Sequence, residues 1–411
     1  MTSAPVTATP ATPAPVLPAT ALAIVGNPGH RRVTLFQAAL RSAGLPPARV
    51  VPWAEVLTGM ARFRPGEAVR IDSPGEDTYV DGLLRGVSDS TRVEGGARWY
   101  ASFLAAVDRV AVEVRAAGGT LLGEPAELAV LFDKRLCHAA LAAVDVPVPP
   151  SPTSGAGAPP VRGWPDVREL LGEPGLRRIF VKPAHGSSAS GVLAVESAPG
   201  GRLRATTSVE RTPSGALHNS LRLRVHEDEA TIGALVDALA PDGLHVERWL
   251  PKASLAGRSA DLRVVVAGRA THAVVRTAAG PITNLHLGGR RGDLDAVRAA
   301  VSLAGGDWPT ALRICERAAA AFPGTPCVGV DLLPAVGWRR FAVGEVNAFG
   351  DLLPGLTGLP GGPAEGLDTY AAQVAALTGA RPGSLPPSPI RPGRPPRASS
   401  GRDRTTVTTR P

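Results

Sequence analysis

Residues 179–191, I-F-V-K-P-A-H-G-S-S-A-S-G, limit the folds open to this chain more than any other stretch. A short apolar run delivers Lys182 and Pro183 and then breaks into a Gly/Ser loop. Glycine lets backbone N–H groups come close to anionic oxygens, and small hydroxyl side chains leave a loop free to close. A strand that hands a lysine to such a loop reads as a phosphate-facing element with a flexible cover, whereas the bland reading is a hairpin turn. What separates the two is the company downstream: Lys134, Glu247, Asp261, Arg263, Arg276, Asn284, Asp331, Glu345 and Asn347 follow in an order that makes chemical sense around one polyanionic ligand.

Composition narrows the class. With 411 residues the chain is long enough for two or three domains sharing a substantial core. A hydrophobic fraction of 44% against 19% charged residues describes a folded body. No apolar run approaches the ~18 residues of a membrane helix, and the N-terminus lacks a basic region followed by an apolar core. The expectation is a cytoplasmic protein. Cys137, Cys315 and Cys327 are few and widely spaced, which suggests buried thiols rather than a disulfide framework or a zinc site. The net charge of +8 resembles a nucleic-acid signature until it is located. Residues 381–411 hold seven arginines and one acid, a net of +6, which leaves about +2 for the body.

Taken in order, residues 1–20 are Ala, Pro and Thr in low-complexity alternation, with nothing to bury, and are expected to be disordered. A strand over 22–25, a turn over 26–30, a helix over 34–42 and a strand over 49–52 read as a βαβ unit of an open parallel sheet. Residues 69–76, V-R-I-D-S-P-G-E, are a strand entering a turn, where Arg70, Asp72, Ser73 and Glu76 either line a substrate cleft or cap the turn. A helix over 97–117 has an apolar stripe, a short strand covers 120–122, and 125–143 is helical. The Pro-rich stretch 146–160 reads as a linker or extended entry segment. Alternating runs over 192–197 and 217–225 suggest antiparallel strands, followed by a helix over 228–240.

The chemistry-bearing residues come next. Residues 244–250, L-H-V-E-R-W-L, form a strand whose edge can offer a carbonyl and an N–H to adenine while Glu247 accepts from the exocyclic amine. A carboxylate at Asp261 suits a ribose diol. Residues 262–276 read as a hairpin around Gly268 that carries Arg263 and Arg276, two guanidinium groups suited to phosphoryl oxygens or a carboxylate. After T-N-L-H-L-G-G and a helix over 309–321 come G-V-D-L-L and F-A-V-G-E-V-N. Asp331, Glu345 and Asn347 are then oxygen ligands on two strands, the last two sharing a face, and fit Mg²⁺ bridging phosphates.

Residues 131–353 resemble the ATP-grasp superfamily, and within it the RimK-type and glutathione-synthetase-like carboxylate–amine ligases; the part before resembles a pre-ATP-grasp domain. F-V-K-P with its loop, D-L-R with V-V-R and T-N-L-H-L-G-G, and the pair G-V-D and G-E-V-N carry the resemblance. It implies an α/β (α+β) chain: an open-sheet pre-ATP-grasp domain over 21–125, an ATP-grasp N-terminal subdomain over 126–243, a C-terminal subdomain with the metal site over 244–378, and tails over 1–20 and 379–411. It also implies that Lys134 and Lys182 contact ATP phosphates or the adenine edge, and that Gly186, Ser187, Ser188 and Gly191 belong to the phosphate cover. Glu247, Trp249 and Leu250 would be the adenine hinge and Asp261 a ribose contact. Arg263, Arg276 and Asn284 would face the transferred phosphate, and Asp331, Glu345 and Asn347 would hold magnesium ions. Ile282 and Leu287 stand where RimK-type enzymes tend to carry basic residues, and the segment from the hinge to Asp261 is longer than usual.

The implied reaction is ATP-dependent joining of a carboxylate to an amine through an acyl phosphate, on a small-molecule or peptide acid and amine, and a homodimer is compatible with it. The rival reading is an ATP-binding protein that keeps the fold for regulation or assembly. Nucleic-acid binding through the C-terminal arginines is disfavoured, because that segment is Pro-rich and lacks interleaved aromatics.

Overall fold

The structure is a computed structural model that describes residues 21–186 and 189–379. The segments 1–20 and 380–411, together with Ser187 and Ser188, lie outside the described residues. Three sheets carry the architecture. In the first, β1 (Leu22–Gly26), β2 (Arg49–Pro52), β3 (Ala68–Ile71) and β4 (Thr120–Leu122) run parallel in the order β2-β1-β3-β4. The opening βαβ unit is there, with helix Arg31–Ser42 as its crossover. The long helix spans Gly96–Ala116. It buries Phe103, Val107 and Val110 against Val25, Val69 and Trp53.

Two local differences matter for the site. The helical region expected over 125–143 is two helices, Pro125–Leu131 and Lys134–Ala143. Asp133 divides them by capping the second, its carboxylate accepting from the Arg135 and Leu136 amides. That break puts Lys134 at the first position of a helix. The second difference is at the far end, where helix Thr369–Thr378 returns to the first sheet and packs Tyr370, Val374 and Leu377 against Val33, Phe36 and Leu40.

The second sheet is antiparallel and consists of β5 (Arg178–Pro183), β6 (Leu193–Ser197), β7 (Leu203–Arg211), β8 (Leu217–His226) and β9 (Leu244–Arg248), ordered β8-β7-β6-β5-β9. Sequence reading missed β7, whose inward positions Ala205 and Thr207 are small or polar and give a weak alternation. The third sheet holds β10 (Ser254–Leu255), β11 (Arg258–Ala267), β12 (Arg269–Ala278), β13 (Arg290–Gly292), β14 (Val328–Pro334) and β15 (Phe341–Ala348). Its order is β13-β12-β11-β14-β15, with β10 on the side of β11. The hairpin expected at Gly268 is the β11–β12 turn, where φ is +71° and a glycine costs least.

The Pro-rich stretch after Val146 is not a simple linker. Pro147 O accepts from Val343 N at 2.7 Å and Pro150 O from Arg248 N at 2.8 Å, so this segment is a seam between the third and second sheets. Separate apolar cores lie beneath the two sheets. Each fully buried Ile, Leu or Val in them is worth about 1.5–3 kcal/mol. The polar faces above those cores enclose the site.

Candidate functional site

Strand period two builds the wall on the second sheet. In β5, Ile179 and Val181 turn into the core, which sends Phe180 and Lys182 to the opposite face. In β9, Glu247 stands opposite Phe180 and His245 opposite Lys182. Lys182 Nζ consequently reaches Glu247 Oε1 at 2.5 Å. Burial alone would raise the Glu247 carboxyl, but Lys182 and His245 overcome it and hold the group at about 2. Both members of the pair are therefore ionised.

The third sheet supplies a row of charges across neighbouring strands, acids facing arginines over three strands and acid beside acid at the β14–β15 end. Asp261 pairs with Arg276 between β11 and β12, Arg263 with Asp331 between β11 and β14, and Asp331 with Glu345 between β14 and β15. Residues directly opposite in an antiparallel pair share a face, so register alone gathers these five groups. Arg276 Nε lies 2.7 Å from Asp261 Oδ1, and its Nη2 lies 3.2 Å from Asp331 Oδ1. Arg263 Nε lies 2.5 Å from Asp331 Oδ1, and its Nη1 is 3.2 Å from Asp351. Despite burial, which opposes the charged form, Asp261 and Asp331 raise the Arg276 guanidinium. A register shift in β15 beside Asp331 leaves Gly344 without a partner, the mark of a bulge, and Gly344 lines the cleft.

These two walls face one another across a single cleft. It gathers Lys134, Lys182, Gly186, Glu247, Leu250 and Asp261 with Arg263, Arg276, Asn284, Asp331, Glu345 and Asn347. Lys134 Nζ donates to Gly186 O at the start of the Gly/Ser loop and lies 3.2 Å from Glu345 Oε1. Ser187 and Ser188 are outside the described residues.

Two expected residues do not line the cleft. Trp249 packs against Phe180 with the rings tilted at 5.6 Å between centroids and lies under Arg178 at 4.1 Å, and its backbone N–H donates to Arg178 O. Gly191 has φ +74° and packs on Pro183, where an added Cβ would lie 2.4 Å from the proline ring. Asp261, expected as a ribose contact, lines the cleft and already has partners within the chain. One carboxylate oxygen accepts from Arg276, and the other from Lys252 at 2.9 Å and from Thr283. Asp261 is thus the hub that holds Arg276, Lys252 and the loop of Asn284. Arg70 and Asp72, read as candidate cleft residues, are buried beneath helix Thr369–Thr378 and line no part of it.

Sequence reading missed Lys252, Thr283 and Phe180. Lys252 stands in a loop with no periodicity to reveal which way it points. Phe180 was legible in principle, as the residue alternating with Val181 and preceding Lys182 by two. The buried thiols of Cys137, Cys315 and Cys327 are raised by desolvation, Cys137 and Cys327 to about 12, which makes them poor nucleophiles.

The donor set of Asp331, Glu345 and Asn347 fits a hard divalent cation. All three line the cleft and offer oxygens. Asn347 Nδ2 donates to Gly329 O at 3.4 Å, which leaves its Oδ1 as the free end. Two carboxylates and an amide are fewer than an all-protein cage uses, a pattern that suits Mg²⁺ completed by phosphate oxygens and water. Among the described residues no group of three or more His, Cys, Asp or Glu is arranged to hold a metal, the set above having only two such residues, and no helix is long and apolar enough to cross a membrane.

No protein-family model matches the sequence, and no curated protein matches it. Solved structures similar to the chain include the D-cycloserine synthetase DcsG, at 19% identity and TM-score 0.49 over 87% of this chain and 98% of that one. The ATP-grasp ligase PsnB complexed with minimal precursor is similar at 16% identity and TM-score 0.49, over 88% and 99% of the two chains. N5-carboxyaminoimidazole synthase from Aspergillus clavatus, in complex with ADP and 5-aminoimidazole ribonucleotide, is similar at 13% identity and TM-score 0.45, over 88% and 79%.

Proposed function

We propose that the chain is an ATP-dependent carboxylate–amine ligase of the ATP-grasp superfamily, acting on a small-molecule or peptide acid and amine. The observation that carries this reading is that Lys134 and Lys182 line a single cleft together with Arg263, Arg276, Asp331, Glu345 and Asn347. In the proposed division of the chain, residues 126–243 and 244–378 form the two halves of the nucleotide grip and 21–125 the domain before it.

Lys134 and Lys182 would bind phosphate oxygens, and Glu247 would accept from the exocyclic amine of the base. Arg263 and Arg276 would orient the transferring phosphoryl group and the substrate carboxylate, which become joined as an acyl phosphate before the amine displaces phosphate. Asp331, Glu345 and Asn347 would hold Mg²⁺, which when bound neutralises charge on the phosphate oxygens. Phe180, Leu250 and Val192 give the cleft an apolar lining that limits water near the anhydride. Every cation here already has an acidic partner, so ligand entry exchanges partners rather than filling a bare positive hole.

The test is release of ADP with Mg²⁺-ATP, candidate acids and candidate amines, measured for the native chain and for Glu345→Ala. Turnover that needs both substrates and vanishes in the variant is expected. Tight ATP binding with no turnover in any mixture of acids and amines would favour the non-catalytic ATP-binding alternative.

A further inference from the structure

Behind the base end of the cleft runs a buried polar chain that the reaction does not need. His245 Nε2 lies 3.4 Å from Glu247 Oε2, and on its other side His245 Nδ1 lies 3.1 Å from Thr153 Oγ1. Thr153 comes from the Pro-rich seam. Its hydroxyl oxygen accepts from Val246 N at 2.8 Å, and its own proton has three candidate acceptors, His245 Nδ1, Val246 O at 3.2 Å and Ser151 Oγ at 3.3 Å. Ser151 Oγ already donates to Val246 O at 2.7 Å. A neutral imidazole beside an ionised carboxylate places its single ring proton on Nε2, facing Glu247, which leaves Nδ1 as an acceptor for the Thr153 hydroxyl. Burial keeps the imidazole neutral by driving its pKa below the ordinary histidine range, against the pull of Glu247.

Glu247 is thus held from both ends, by Lys182 on Oε1 and by the His245 N–H on Oε2. A carboxylate so held has no proton to donate and presents lone pairs only. We propose that Thr153 and His245 are positioning residues for base selection: they keep Glu247 an obligate acceptor, so the cleft takes a purine bearing an exocyclic amine at that point and rejects one bearing a carbonyl. The proposal rests on the nucleotide-binding reading above and deepens it. Adenine donates to Glu247, whereas guanine would set an oxygen against its oxygens. Buried polar groups left unpaired, or lone pair against lone pair, are what make such sites selective.

The experiment measures affinities, with Mg²⁺ present, for ATP, GTP, purine riboside triphosphate and inorganic tripolyphosphate, which has no base. The native chain should prefer ATP over GTP, and over the amine-free purine analogue, by at least about tenfold. Thr153→Val and His245→Asn should each cut the ATP-to-GTP ratio by about tenfold while tripolyphosphate affinity holds, and Thr153→Ser should restore the ratio. An unchanged ratio in a folded Thr153→Val chain would overturn the inference. So would native protein that binds purine riboside triphosphate as tightly as ATP, a comparison that needs no variant to fold. Native protein that binds tripolyphosphate but neither nucleotide would remove the nucleotide reading itself, and a chain that selects ATP yet ignores Thr153→Val would leave that reading standing.

Discussion

Two buried charge clusters in this chain look alike in sequence and differ in what surrounds them. Around Asp72, at the end of β3, the partners are loose: Arg70 Nη2 at 3.7 Å and Arg32 Nη1 at 3.8 Å. Arg70 donates to Gln373 and sits 4.6 Å over the Phe36 ring, and Trp53 Nε1 donates to Asp72 O. Arg70 is 2% exposed and Asp72 0%. Among the described residues, Arg70 Nε, Asp72 Oδ2, Gln373 Nε2 and Tyr370 Oη have no hydrogen-bond partner. Around Asp331 the pairs are tight, at 2.5 and 3.2 Å, and they open onto the cleft. A sealed charge has only its neighbours to satisfy it, while one on a cleft wall can change partners. The first arrangement is a structural commitment, and the second is a reservoir of binding groups.

The largest expected effect separates the clusters by activity. Glu345→Gln removes one charge from the open row and should lower turnover by about 10³-fold, which is about 4 kcal/mol of barrier, with little change in thermal midpoint. Next in size is Asp72→Asn, which leaves the buried Arg70 and the half-buried Arg32 without their shared counter-ion. It should cost about 3 kcal/mol of stability in denaturant titration and leave the nucleotide affinity of the folded protein unchanged. If Asp72→Asn instead impairs turnover in a chain as stable as the native one, the division between sealed and open clusters is wrong.

A smaller effect follows from pH. Glu247 titrates at about 2 in the folded chain against an ordinary value of 4.5, because Lys182 and His245 outweigh its burial. A depressed carboxyl stabilises the fold above its unfolded pKa and loses that contribution as pH falls toward the folded one. Between pH 5 and pH 3 the loss from this group should be about 2 kcal/mol. Asp261 is also lowered, by Arg276 and Lys252 against burial, and acts in the same direction. Denaturant midpoints at the two pH values, for the native chain and for Glu247→Gln, check this: the variant should show a shallower pH dependence, and equal slopes would remove the buried pair as its source.

Much of the open cluster was legible because strand period and register do the placing. Lys182, Glu247, Arg263, Arg276, Asp331, Glu345 and Asn347 all lie on strands, and knowing the face of one neighbour fixes theirs. Loops and seams carry no such period. Lys252 and Thr153 enter from irregular segments, so only tertiary packing reveals that they reach Asp261 and His245. The same holds for Trp249, one residue past β9, which turns to Phe180 and Arg178 instead of the cleft. Arg70 and Asp72 misled because the helix that seals them, Thr369–Thr378, arrives from the other end of the chain.

Asp351 offers the smallest and finest test, since it stands between the two environments. Its carboxylate accepts from Arg263 Nη1 at 3.2 Å, yet its side chain is 33% exposed where that of Asp72 is 1%. Water can replace Arg263 at such a site, and Arg263 keeps Asp331 as its second partner. Asp351→Asn should therefore cost only about 0.5–1 kcal/mol of stability, a fraction of the Asp72→Asn effect, although both substitutions delete one oxygen's charge beside an arginine. A double-mutant cycle with Arg263→Met measures the pair directly. A coupling near that of a buried pair, about 3 kcal/mol, would mean that Asp351 belongs with the sealed cluster, and that its side-chain exposure overstates how far water reaches this end of the cleft.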